Sequence, residues 1–139
     1  MRQVTSSAQE TRELGARLAR RAQPGDVYAL EGDLGTGKTE FVRGFVEELI
    51  PGAAVRSPTF SIVNTYSSDR FPVFHFDFYR LCDSEELDTI GFDEYTGGDG
   101  VCLIEWADMF RDALPENTKV ICFGDEGESE RVVESEFEF

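Results

Sequence analysis

The sequence predicts an α/β fold in a single domain of 139 residues. One observation is the motif G-D-L-G-T-G-K-T at residues 32–39, which lies between a short apolar strand at 27–30 and a helix-periodic segment at 40–49. Another is the continuous apolar run at 101–104, because strands buried on both faces are typical of parallel sheets. A chain of this length can bury one core, and no linker divides it.

The other elements follow from periodicity and turn residues. In chain order they are a helix at 5–22, extended segments at 61–66 and 71–79 joined by a hairpin loop, a short helix at 84–90, and strands at 119–123 and 131–139. Residues 7–10 read S-A-Q-E, a capping box for the first helix. The acidic stretch 125–139 is expected to be either an edge strand or a frayed tail.

The charge balance constrains the partners. The formal net charge is −15, with 28 acidic and 13 basic residues, so the surface repels nucleic acid and another subunit would make most of any RNA contact. Solubility, or adaptation to a salty cytoplasm, explains the acidity equally well. No apolar run is long enough to span a membrane, and the N-terminus lacks the apolar segment of a secretory signal. Three separated cysteines predict buried free thiols, and hence a cytoplasmic protein.

The glycine motif predicts a phosphate-binding loop. Its glycines let consecutive N–H groups face phosphate oxygens, and the following helix adds its positive dipole end. Lys38 is expected to reach the β- and γ-phosphates, and the Thr39 hydroxyl to ligate Mg²⁺. The predicted nucleotide contacts are Asp33, Leu34, Gly35, Thr36, Gly37, Lys38 and Thr39. The alternative is a glycine-rich turn that binds nothing.

Hydrolysis needs a metal ligand and a positioned water, and two acids are candidates. The period of two along 74–79 places three phenylalanines on one strand face and Asp77 on the other. On that other face Asp77 is either a ligand of Mg²⁺ or an ordinary residue of a solvated strand face. Glu105 follows a buried strand, where ligands of open α/β sheets collect. The sequence leaves open which acid is the Walker-B equivalent.

Further candidates surround these acids. The segment S-P-T-F at 57–60 occupies the place of a switch loop, with Thr59 as a catalytic hydroxyl that senses the γ-phosphate. His75 is either a general base or a hydrogen-bonded structural residue. Trp106 is a lid, a partner-facing aromatic or a packing residue. Two arginines are candidates for neutralising charge in the transition state, namely Arg56 and Arg80.

These motifs, in this order and spacing, closely resemble the TsaE (YjeE) family of bacterial ATPases in tRNA threonylcarbamoyladenosine biosynthesis. The resemblance rests on G-D-L-G-T-G-K-T, S-P-T-F, H-F-D-F-Y-R-L at 75–81 and I-E-W at 104–106. It implies a small P-loop NTPase fold with a mixed, mostly parallel central sheet flanked by helices, with ATP and Mg²⁺ as cofactors. It also implies that Thr39 and Asp77 handle Mg²⁺, that Glu105 is a further acid at the metal, and that Thr11 lies near the base.

The resemblance implies partners as well. These are TsaD-like and TsaB-like subunits that carry out the transfer to tRNA, so contact with tRNA is indirect, and neither membrane nor DNA is expected. The ATPase would reset that complex. The sequence departs from the family pattern in its acidity and in Glu40. The alternatives are a small P-loop metabolite kinase and a non-catalytic nucleotide-sensing module; a GTPase lacks any N-K-x-D-type motif.

Overall fold

The computed structural model of the chain describes residues 1–33, 35–56, 58 and 62–139. Within these residues there are seven strands, four α-helices and two 3₁₀ segments. In chain order the elements are β1 (Arg2–Thr5), α1 (Ala8–Arg21), β2 (Val27–Glu31), α2 (Lys38–Leu49), β3 (Val63–Tyr66), β4 (Val73–Asp77), a 3₁₀ turn (Phe78–Arg80), α3 (Glu85–Ile90), α4 (Phe92–Thr96), β5 (Val101–Glu105), a 3₁₀ segment (Ala107–Ala113), β6 (Lys119–Asp125) and β7 (Arg131–Ser135).

The strands form one sheet in the order β1-β7-β6-β2-β5-β4-β3. The four central strands, from β6 to β4, are parallel to one another. The outer pairs β1–β7, β7–β6 and β3–β4 are antiparallel, so five of the seven strands run in one direction. This confirms the predicted α/β fold with a mixed, mostly parallel sheet. Strand β5 is buried along its whole length, as its continuous apolar run predicts.

Helices α1 and α2 cover one face of the sheet and approach each other at two glycines. A Cβ on Gly15 would lie 2.0 Å from the carbonyl oxygen of Phe41, and one on Gly44 would lie 1.9 Å from that of Arg12. Only glycine therefore permits this helix crossing. The helix layer fixes the start of α2, and with it the end of the glycine loop, against the sheet.

On the opposite face of the sheet, α3, α4 and the two 3₁₀ segments cover the parallel strands β2, β5 and β4. Phe76 and Phe78 pack there on Phe92, with ring centroids 5.2 and 5.5 Å from it. The predicted aromatic face is therefore present, although β4 ends at Asp77 and Phe78 already belongs to the 3₁₀ turn. The solvated alternative for the other face is wrong at His75, which is fully buried.

Both ends of the chain differ from the prediction. The first helix begins at Ala8, and Thr5 belongs to a strand that the sequence analysis missed. Ser7 caps this helix by accepting the Glu10 N–H, but the Glu10 carboxylate bonds to Ser6 in place of completing the capping box. An edge strand or frayed tail at 125–139 is also wrong, because β7 lies between β1 and β6 and Phe139 is buried.

The cysteine prediction holds in part. All three cysteines are free thiols, and Cys102 is buried in β5, where burial raises its pKa to about 12. Cys82 and Cys122 are exposed, contrary to the prediction. Cys122 lies on the side of β6 that faces away from α1 and α2. Among the described helices, none is long and apolar enough to cross a membrane.

Candidate functional site

The glycine loop lies between the end of β2 and the start of α2, as the motif predicts. Gly32, Gly35 and Gly37 all have positive φ angles, of 145°, 81° and 100°. A Cβ on Gly32 would lie 2.4 Å from the carbonyl oxygen of Phe123, so the loop also needs glycine there to pass β6. Gly37 directly precedes α2 and supplies no side-chain cap, which leaves the N-terminus of the helix facing the loop.

Lys38 extends back over the loop that precedes it. It is only 4% exposed, and its Nζ donates a hydrogen bond of 2.5 Å to the Gly32 carbonyl oxygen. Its ammonium group also lies 3.6 Å from the centroid of the Trp106 ring. Burial lowers the pKa of Lys38, and nearby carboxylates, led by Glu105, oppose that shift. The lysine is thus placed at the loop, where an incoming phosphate would meet it.

Two carboxylates lie beside the lysine on neighbouring parallel strands. Asp77 and Glu105 are direct register partners at the carboxyl ends of β4 and β5. The Thr39 hydroxyl donates to Glu105 Oε1 over 3.3 Å, which joins the start of α2 to the end of β5. Burial raises the pKa of Asp77, and the charge of Glu105 adds to this shift, whereas the bond from the Tyr79 N–H opposes it. The three predicted metal-binding residues are therefore brought together.

The residues present suit a magnesium ion. Mg²⁺ prefers oxygen ligands and takes one or two carboxylates, with phosphate oxygens and water completing its octahedron. A hydroxyl and two carboxylates beside a phosphate-binding loop supply that donor set. Within the described ranges no group of three or more His, Cys, Asp or Glu residues could hold a metal ion unaided.

Two cavities meet at the loop and share Gly35, Gly37 and Glu40. The first, of about 220 Å³, is lined in addition by Lys38, Thr39, Glu105 and Trp106. The second, of about 190 Å³, is lined by Ser7, Ala8, Thr11, Ser129 and Arg131. Together they extend from Glu105, across the glycines, to Thr11. The predicted proximity of Thr11 to the nucleotide site is consistent with this arrangement.

Thr11 is held in place by its neighbour on β1. Its hydroxyl lies 2.8 Å from that of Thr5, and its methyl carbon lies 3.4 Å from where a Cβ on Gly37 would be. Both threonines are 2% exposed. The start of α1 therefore forms one wall of the second cavity, and β1 supports that wall through Thr5.

A larger cavity lies elsewhere, along β6 and β7. It measures about 540 Å³ and is lined by Thr118, Lys119, Val120, Cys122, Glu134, Ser135, Glu136 and Phe137. None of the loop glycines or the paired acids lines it. We place the candidate site at the smaller cavities, because the glycine loop, Lys38 and Glu105 line them and Asp77 is the register partner of Glu105.

Some of the other predicted residues form contacts at the site, and others lie outside the residues that the structure describes. Arg80 donates to the carbonyl oxygen of Pro58 over 3.0 Å and lies 3.9 Å from Asp77, so it joins the predicted switch segment to the acid predicted to bind the metal. Thr36 is buried, and its hydroxyl bonds to the Asp33 carbonyl inside the loop. The predictions for Leu34, Ser57, Thr59 and Phe60 lie outside the described residues.

One contribution to the site was not predicted from the sequence, and for another only the partner was not predicted. Arg131, on β7, donates from Nε to the Gly35 carbonyl oxygen over 3.0 Å and lines the second cavity. His75, expected to be either a general base or a hydrogen-bonded structural residue, does form a hydrogen bond, and its partner is Glu105, over 2.5 Å between Nε2 and Oε2. The period of two placed His75 and Asp77 on one face of β4, which was the available signal for His75. No local pattern signals Arg131.

The fold and the site define an α/β protein with a glycine loop between a parallel strand and a helix, and with paired acids at the neighbouring strand ends. The family model "Threonylcarbamoyl adenosine biosynthesis protein TsaE" matches residues 5–133. The chain is 43% identical to the tRNA threonylcarbamoyladenosine biosynthesis protein TsaE of Bacillus subtilis, over 93% of this chain and 80% of that protein. The protein of the same name from Treponema pallidum is 40% identical, over 87% of this chain and 89% of its own length.

A solved structure agrees with these sequence matches. The crystal structure of Bacillus subtilis YdiB superposes with a TM-score of 0.79 at 37% identity, and the match covers 96% of this chain and 82% of that one. The chain belongs to the TsaE family, which is involved in tRNA threonylcarbamoyladenosine biosynthesis. The resemblance inferred from the sequence motifs is confirmed.

Proposed function

We propose that this protein binds and hydrolyses ATP with Mg²⁺ at the glycine loop, as a nucleotide-dependent switch in tRNA threonylcarbamoyladenosine modification. The observation that carries the proposal is the convergence of Thr39, Asp77 and Glu105 beside Lys38. The Thr39–Glu105 distance of 3.3 Å and the Asp77–Glu105 register pair bring oxygen ligands from three elements to one end of the sheet.

Each residue has a distinct part in the proposed reaction. Lys38 and the loop N–H groups hold the β- and γ-phosphates, and the second cavity, lined by Thr11 and Arg131, takes the nucleoside end. Thr39 and Asp77 hold the metal, and Glu105 orients the attacking water or a metal-bound water. When bound, Mg²⁺ neutralises charge on the phosphates and polarises the bond that breaks.

The proposed partners are TsaD-like and TsaB-like subunits that carry out the transfer to the tRNA. Membership of the TsaE family supports partners within this pathway. The net charge of −15 supports an indirect contact with tRNA, because an acidic surface repels phosphate backbones. We also propose a cytoplasmic location, which the three free thiols support, since thiols persist in reducing compartments.

The test separates binding from hydrolysis with two variants. Lys38→Ala should lose affinity for ATP in titration calorimetry, because it removes the cation that holds the phosphates. Glu105→Ala should keep binding and lose hydrolysis, because it removes a group that acts on the water. Equal loss of ATP binding in both variants would refute this division of roles.

A second experiment separates the switch from its alternatives. ATP turnover by the wild-type protein should rise when TsaD-like and TsaB-like subunits are added. Phosphate transfer to a small metabolite, independent of these subunits, would indicate a kinase. A nucleotide-sensing module would be indicated if Asp77→Ala and Glu105→Ala left the modification of tRNA intact while Lys38→Ala abolished it.

A further inference from the structure

His75 lies behind the proposed metal site, out of reach of solvent. It is 0% exposed and precedes Asp77 by two residues, so both side chains leave β4 on the same face. Its Nε2 lies 2.5 Å from Glu105 Oε2 on the neighbouring strand. The other oxygen of the same carboxylate, Oε1, accepts from the Thr39 hydroxyl. Glu105 is therefore held from both sides.

We propose that His75 is a positioning residue that fixes the Glu105 carboxylate for the metal and water chemistry of the site. The inference rests on the proposed function. A carboxylate oxygen only accepts hydrogen bonds, so Nε2 of His75 carries the hydrogen and donates it. This bond occupies Oε2 and turns Oε1 toward Thr39 and the cavity. Glu105 thus presents a single, oriented oxygen where the nucleotide and Mg²⁺ would bind.

The surroundings of the ring favour this role over simple packing. Among the described residues, Nδ1 of His75 is a buried nitrogen with no hydrogen-bond partner. Among these residues, the bond to Glu105 is therefore the one hydrogen bond of the imidazole ring. An apolar side chain of similar size would fill the same space without leaving a nitrogen unpaired. Packing on its own gives no reason for a histidine at this position. The bond to Glu105 does.

The arrangement matches the way outer-shell residues act at metal sites. Partners that orient a ligand commonly affect metal affinity or activity by about 10–100-fold when they are removed. In the proposed site the hydrogen-bonded chain runs from His75 through Glu105 to Thr39, and it links β4, β5 and the start of α2. Loss of His75 frees the glutamate to adopt other rotamers, while the glycine loop and Lys38 remain in place.

Two variants test the role of the Nε2 donor. His75→Gln keeps an amide donor at a similar reach, whereas His75→Met has similar bulk and no donor. Titration calorimetry compares ATP with Mg²⁺ against ATP with EDTA, and turnover is measured with the partner subunits. We expect His75→Met to bind ATP like the wild type both with Mg²⁺ and in EDTA, as Glu105→Ala does. It should lose about 10-fold or more in kcat, with little change in KM. His75→Gln should recover the lost turnover.

The outcomes separate the inference from the proposed function. Wild-type turnover by His75→Met would overturn the inference, and so would equal failure of His75→Gln and His75→Met when both are folded. A wild-type protein that binds no ATP would overturn the proposed function itself, and the inference with it.

A measurement on the wild-type chain covers the case in which His75→Met does not fold. His75 is the single histidine of the chain, so its ring nitrogens give an unambiguous NMR signal. We expect the hydrogen on Nε2, and a shift of the ring signals when MgATP is added. ATP in EDTA should shift them less. Signals that ignore MgATP, in a protein that binds it, would overturn the inference.

Discussion

The ammonium group of Lys38 lies over the indole ring of Trp106, 3.6 Å from the ring centroid. The same group donates a hydrogen bond to the Gly32 carbonyl oxygen, so protein groups occupy the positions around the ammonium that a phosphate would take. Trp106 follows Glu105 with a φ of 59°, in the left-handed region, and this turn aims its ring at the loop. A phosphate that takes up the lysine would compete with both partners. We therefore expect nucleotide binding to break the contact between Lys38 and Trp106.

The first prediction uses this contact as a reporter. Trp106 is the chain's single tryptophan, so its fluorescence reports this one position. Adding ATP should change the emission, because withdrawal of the Lys38 ammonium alters the field at the indole. Lys38→Ala should start with altered emission and respond little to ATP. A full response to ATP in Lys38→Ala would contradict the link between the two residues.

The second prediction concerns alkaline pH. Burial lowers the pKa of Lys38 in the nucleotide-free protein below its ordinary value of 10.5. Below the lowered pKa the lysine is charged and attracts phosphate, and this attraction is lost as the pH rises through that value. The affinity for ATP, measured by calorimetry from neutral to alkaline pH, should therefore decline before pH 10.5 is reached.

Lys38→Arg is the matched control for this decline. Arginine stays charged across the whole range, so the variant should bind ATP more weakly at neutral pH but show little alkaline loss. An alkaline decline of equal size in Lys38→Arg would assign the effect to another group.

Local sequence patterns predict much of the site, because its main parts are short-range. The glycine loop, Lys38 and Thr39 are consecutive, and Glu105 directly follows a buried strand. Parallel strands bring their carboxyl ends to the same edge of a sheet, so the placement of Asp77 and Glu105 at one edge follows from the fold class, whereas their register pairing does not. The buried aromatic cluster under the sheet likewise follows from the period of two.

Long-range contacts escape this reasoning. Residues 2–5 pair with residues 131–134, so the first strand and the inner position of the last one cannot be recognised from either segment by itself. This pairing places β7 inside the sheet in spite of its acidic composition. Arg131 reaches Gly35 across 96 positions of the sequence, and no local pattern encodes that contact. The bond from His75 to Glu105 needs the register of two strands, which hydrophobic periodicity does not supply.

The third prediction tests the contribution of Arg131 to nucleotide binding. Its guanidinium lines the cavity beside Thr11, and it also contacts Asp125 over 3.3 Å. Arg131→Gln should weaken ATP binding by about 1 kcal/mol, roughly fivefold, because the variant loses one charge-assisted hydrogen bond of the partly exposed guanidinium. The control is Arg2→Gln, which breaks a surface ion pair to Glu126 outside the cavity. Equal affinities of the two variants would remove Arg131 from the site.

The fourth prediction concerns the helix crossing that supports the loop. Gly44→Ala should destabilise the fold by about 1–3 kcal/mol or more, because the new methyl group would lie 1.9 Å from the Arg12 carbonyl oxygen. Backbone atoms cannot give way as a flexible side chain can, so α1 and α2 must separate. The measurement is urea unfolding, in which a lower midpoint at constant slope reports lost stability.

Glu47→Ala provides the control for this change within the same helix. Glu47 is exposed, and alanine has a slightly higher helix propensity than glutamate, so its unfolding midpoint should stay close to that of the wild type. Because α2 begins at Lys38, separation of the two helices should also displace the end of the glycine loop. We therefore expect Gly44→Ala to bind ATP more weakly than Glu47→Ala even where both are fully folded. An unchanged midpoint and affinity in Gly44→Ala would show that the crossing tolerates a side chain, and that glycine is not what sets the position of the loop.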